Sequence, residues 1–86
     1  MKIVKISAIW CGGCLVMNRI WENLKKKYNE IEFITYDYDM DEEKVKEYNI
    51  GDILPVFIFY KNDVEVKRIN GEVKENIIID AIEELR

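Results

Sequence analysis

Cys11 and Cys14 are the only cysteines in an 86-residue chain that contains no histidine. They stand in Trp10-Cys11-Gly12-Gly13-Cys14, between an apolar β-like run and an amphipathic helical one. Two thiols at this spacing at a helix start can close a small ring with each other. The helix start also offers free backbone N–H groups and the positive end of the macrodipole, and both favour a thiolate. The thiolate is the form that attacks disulfides and binds metal. On spacing alone the pair is either a redox dithiol or half a metal site. The missing histidine removes Cys-His catalysis and every His-containing zinc site, so tetrahedral zinc would need carboxylates or a second chain.

The elements that hold the pair can be read from periodicity. Lys2 to Ala8 is rich in Ile and Val and alternates weakly, which predicts a strand. From Cys14 to Asn29 the residues Val16, Ile20, Leu24 and Tyr28 recur at helical spacing, with Met17 and Trp21 widening the stripe. Glu32 to Tyr38 predicts a second strand. Asp39 or Asp41 then caps a short helix with Val45 and Tyr48 on its inner face, and Gly51 follows its end. Val56 to Tyr60 is apolar almost throughout, as in a strand covered on both faces. Lys61-Asn62-Asp63 turns the chain back into Val64 to Ile69, and Ile78, Ala81 or Ile82, and Leu85 mark a final helix. The order is β-α-β-α-β-β-α. The first two strands flank a helix and should be parallel, while the last two form a hairpin. The expected fold is α/β, a mixed four-stranded sheet with helices on both faces and the cysteines at the carboxyl end of the first strand.

Composition narrows the setting. The length suggests one domain, residues 1–86, with no repeat or linker. Thirteen Lys and Arg against seventeen Asp and Glu give a net charge of −4, which argues against nucleic acid as a partner. The basic run Lys25-Lys26-Lys27 falls at a helix end, where cations complement the dipole. No segment approaches transmembrane length, and Met1 to Ile6 is too short in apolar residues for a signal peptide. One cysteine pair is too few for a secreted disulfide scaffold. These features predict a cytoplasmic monomer with no membrane partner.

Ala8-Ile9-Trp10-Cys11-Gly12-Gly13-Cys14 resembles the active-site segment of the thioredoxin family, whose usual form is W-C-G-P-C. Leu54-Pro55-Val56-Phe57-Ile58-Phe59-Tyr60-Lys61-Asn62 resembles the family's cis-proline strand and following turn. Gly71, sixteen residues beyond Pro55, matches the glycine of its substrate-facing loop. Tyr36-Asp37-Tyr38-Asp39 resembles the end of the preceding strand. The similarity covers essentially the whole chain without the family's extra N-terminal strand and helix, a minimal, glutaredoxin-sized version. It implies a thiol–disulfide oxidoreductase acting on protein disulfides, with Cys11 attacking and Cys14 resolving. No cofactor or metal is implied beyond the redox-active cysteines, and an unidentified reductase or dithiol donor would restore the dithiol. Pro55 would follow a cis bond and press on the cysteines, and the Leu54 backbone would pair with an extended substrate segment. Trp10, Ile53 and Leu54 would form an apolar rim, with Gly12, Gly13 and Gly71 leaving room. Trp21, inside a helical stripe, is expected in the core.

Three residues depart from that pattern. Gly13 replaces the usual proline, which implies a looser ring and a less reducing potential. Val56 replaces the threonine after the proline. Lys5 stands where the family often buries an Asp. It could lower the pKa of Cys14 or pair with Asp37, but the favoured reading is that it snorkels to solvent over a thinly covered sheet face. From another functional class, a Cu(I)- or zinc-binding chaperone would also carry C-x-x-C after its first strand. Such a fold ends in a strand, whereas this chain ends in a predicted helix.

Overall fold

The computed structural model describes residues Met1–Arg86. Strands β1 (Lys2–Ser7), β2 (Glu32–Asp37), β3 (Val56–Lys61) and β4 (Val64–Asn70) alternate with helices α1 (Gly12–Lys27), α2 (Glu42–Lys46) and α3 (Glu75–Leu85) in the expected order. The sheet runs β2-β1-β3-β4. β1 pairs in parallel with β2 and antiparallel with β3, and β4 closes the hairpin. Asn62 and Asp63 both take positive φ between Lys61 and Val64, the two-residue turn whose twist suits a hairpin.

Alternation along β1 splits the core in two. Ile3 joins Met17, Trp21, Leu24, Phe57, Phe59, Ile78 and Ile82 under α1 and α3. Val4 and Ile6 point the other way, to Val45, Val56 and Ile58 beneath α2. Trp21 anchors the larger half, edge-on to Phe33 at 5.0 Å and tilted on Phe57 at 5.8 Å. Each large apolar side chain buried here stabilises the fold by about 1.5–3 kcal/mol.

Lys5 corrects the sequence reading. It shares the parity of Ile3, so it enters the thick face under α1 and is only 4% exposed. Its Nζ donates to Asn18 Oδ1 at 2.9 Å and lies 5.1 Å from the Trp21 ring centre. It neither snorkels nor meets Asp37, whose Oδ1 accepts the backbone N–H groups of Asp39 and Met40, each at 2.9 Å.

Smaller corrections concern the helices. The buried stripe of α1 centres on Cys14, Met17, Trp21 and Leu24, with Val16 turned to solvent. Asp41 occupies the N-cap of α2 without capping it, because its carboxylate accepts the Asp37 N–H at 2.8 Å. Beyond that helix Asn49 takes a left-handed conformation, and Gly51 follows shortly after, as expected.

Candidate active site

β1 delivers the chain to a short turn, Ala8 to Trp10, that ends in α1. Cys11 is the N-cap of that helix, with extended backbone, and its Sγ accepts the Cys14 N–H at 3.2 Å. A sulfur here takes the place that a Ser, Thr or Asp oxygen usually fills. No acidic side chain stands in the first turn to compete for the free N–H groups, and Lys25, Lys26 and Lys27 occupy the last turn. The macrodipole therefore points its positive end at Cys11 without a neutralising carboxylate on the helix. The Cys11 thiol donates in turn to the Leu54 carbonyl at 3.6 Å.

Cys14 lies one turn further in and is buried. Burial pushes its thiol up to about 11, reinforced by the hydrogen bond to Cys11 and by the charge of Cys11. A bond from the Ala8 backbone and the Lys5 ammonium pull the other way. The two sulfurs thus differ in kind: Cys11 is partly open to solvent, and Cys14 is enclosed and held protonated.

The opposite wall comes from the loops around Pro55 and Gly71. The Leu54–Pro55 bond is cis, and the Pro55 carbonyl accepts the Gly71 N–H at 2.7 Å. Gly71 has φ +90°, a conformation that favours glycine, and a Cβ there would stand a tight 3.3 Å from the side-chain methyl Ile53 Cγ2. A Cβ on Gly13 would lie 3.8 Å from Pro55 Cδ and 3.5 Å from Glu72 Cβ and Oε1, whereas one on Gly12 would meet nothing. Cys11, Cys14, Gly13, Ile53, Leu54, Pro55 and Gly71 therefore converge on one end of the sheet. The family model for thioredoxin matches residues 1–84 of this chain. The chain belongs to the thioredoxin family.

Its thioredoxin relatives include thioredoxin H2 of Arabidopsis thaliana, 31% identical over 77 residues, which cover 90% of this chain and 57% of that protein. Thioredoxin of Ophiophagus hannah is 33% identical over 75 residues, 87% of this chain and 70% of its own length. Among solved structures, Fasciola hepatica thioredoxin superposes with a TM-score of 0.90 at 32% identity, covering 99% of this chain and 80% of that one. The chain thus spans somewhat more than half the length of the first of these relatives.

Beside the two cysteines, Trp10 is 66% exposed, its Nε1 donating to Asp39 Oδ2 at 2.6 Å and its ring edge-on to Tyr38 at 6.2 Å. Ile53 is exposed and Leu54 half-buried. Asp37 stays out of the site, folding its own loop. Sequence reasoning missed Asp39, Glu72 and Asn18. Asp39 enters the sequence reading as a cap for α2 and as the end of a strand segment, not as a partner of Trp10, and neither Glu72 nor Asn18 belongs to a motif. The family and fold matches give the metal-chaperone alternative no support.

Proposed function

We propose that this chain is a thiol–disulfide oxidoreductase of protein disulfides. Cys11 attacks one substrate sulfur and the other leaves as a thiolate, giving a mixed disulfide. Cys14 then loses its proton and displaces the substrate from Cys11. The Cys11–Cys14 bond forms, and two electrons have passed to the substrate. The exchange needs no group beyond the two sulfurs, and a reductase or dithiol donor returns the electrons. A single working dithiol suits a reducing compartment such as the cytoplasm.

The observation that carries this reading is the asymmetry of the pair. Cys11 caps the helix in the open, while Cys14 is enclosed one turn behind it. A protein substrate fits better than a small one because no pocket encloses Cys11. The largest cavity, about 480 Å³, lies to one side, lined by Tyr38, Asp39, Glu42, Val45, Lys46, Asn49 and Ile50. An extended chain laid along the Leu54 backbone would meet the site edge-on, as in strand addition.

Insulin reduction driven by dithiothreitol tests this. Wild type is expected to accelerate it, and Cys11→Ser to lose about a hundredfold or more of that rate. Cys14→Ser should accumulate the mixed disulfide. A Cys11→Ser protein as fast as wild type would overturn the assignment.

A further inference from the structure

Lys5 is the one charged side chain among the buried residues, and no carboxylate lies within ion-pairing distance of it. An ammonium withdrawn from water is destabilised unless an opposite charge faces it. Its stem lies under α1, and its tip is fixed by Asn18 Oδ1 and by the Trp21 ring. Cys14, Asn18 and Trp21 stand at i, i+4 and i+7, so they form one stripe of that helix. Lys5 faces a stripe that supplies two neutral contacts and one thiol.

The other groups that bear on Lys5 are few. Its register partners, Thr35 on β2 and Phe57 on β3, carry no charge. From α1, Glu22 favours the ammonium and Lys25 opposes it. Burial lowers the hold of Lys5 on its proton, and the foremost influence restoring it is the charge of Cys14. The same coupling acts in reverse, with Lys5 favouring the Cys14 thiolate.

We propose that Lys5 is a positioning residue for the resolving step, its ammonium fixed by Asn18 and Trp21 as the counter-charge against which the Cys14 thiolate forms. This rests on the exchange reading above. In the mixed disulfide the Cys14 S–H gives its proton to solvent and the thiolate attacks Cys11 Sγ. The Cys11–Cys14 bond forms as the Cys11–substrate bond breaks, and the substrate sulfur leaves with the electron pair and takes up a proton. The charge opposite Lys5 exists only between deprotonation and attack, so the lysine stabilises the reacting state in particular. In that state Cys11 is no longer a thiol, and its contributions to keeping Cys14 protonated are gone.

The test is a stopped-flow reaction of the reduced protein with a chromogenic aryl disulfide between about pH 6 and pH 10. Attack by Cys11 releases one coloured thiolate, and resolution by Cys14 releases a second. Lys5→Met removes the charge and the polar contact. Lys5→Gln removes the charge but keeps a donor for Asn18. In both, the rise of the second phase with pH is expected to be displaced upward by about one pH unit, so that resolution is about tenfold slower at a given pH while the first phase keeps its rate. A second phase whose rise with pH is not displaced in either variant overturns the role of Lys5. A wild-type protein that releases only one equivalent overturns the exchange reading, and this inference with it.

Discussion

Gly13 sits in the first turn of α1, where a backbone N–H has no intrahelical partner, so a proline there sacrifices no helix bond. A side chain at this position meets Glu72 and Pro55 only at ordinary contact distances. Proline should therefore fit, and its effect falls on the freedom of the open dithiol, which closing the ring removes. Restricting that freedom is worth about 0.4–1 kcal/mol, or about 10–20 mV at roughly 20 mV per kcal/mol. Gly13→Pro is expected to lower the midpoint potential by that amount when equilibrated against a glutathione buffer. An unchanged or higher potential would show that the glycine does not set it. Lys5 makes the contrasting case at the same scale. Its identity was legible, but its orientation depended on strand parity and on which sheet face α1 and α3 cover.

Between elements, the end of α1 is fastened to α3 by Tyr28, which is 3% exposed and whose hydroxyl donates to Glu83 Oε2 at 2.8 Å. Arg86 Nη1 donates to the same oxygen at 3.0 Å. The Tyr28 hydrogen bond, followed by that of Arg86, holds the Glu83 carboxyl below its ordinary range. A depressed folded-state value contributes stability above the unfolded value and loses it as pH falls through the folded one. Tyr28→Phe keeps the ring and removes the donor. Its deficit in urea midpoint should be present at about pH 6 and narrow as pH falls through the lowered folded-state value of Glu83, below which the carboxylate is protonated in both proteins. A deficit of equal size above and below that value would assign the loss to packing instead. The strands and both long helices were legible because burial imposes their periods directly. The start of α2 was legible as Asp39 or Asp41, and Asp41 holds the N-cap position, but only the folded loop turns its carboxylate to the Asp37 N–H and that of Asp39 to Trp10.

At the scale of the whole molecule, the site is an end of the sheet and not a cavity. Cys, Pro and Gly could be found by reading because their chemistry or backbone geometry is their function. Asp39, Glu72 and Asn18 could not, because they are ordinary polar residues brought to the site only when distant segments close on it. The closed molecule surrounds Cys11 with exposed apolar side chains, Ile9, Trp10, Leu15 and Ile53 among them, on a chain whose net charge is −4. Affinity for a protein disulfide should then come from apolar area covered around the sulfur, which a small disulfide cannot cover. Ile53, 59% exposed beside Gly71, is the rim side chain on the Pro55 side of the site and has apolar area left for a bound segment to cover. Covering the remainder of an isoleucine is worth about 1 kcal/mol, or about fivefold in kcat/KM. Ile53→Ser is therefore expected to lower the ratio of kcat/KM on insulin to that on the aryl disulfide by about fivefold. If both substrates slow in parallel, the residue shapes the dithiol itself and the rim does not select the substrate.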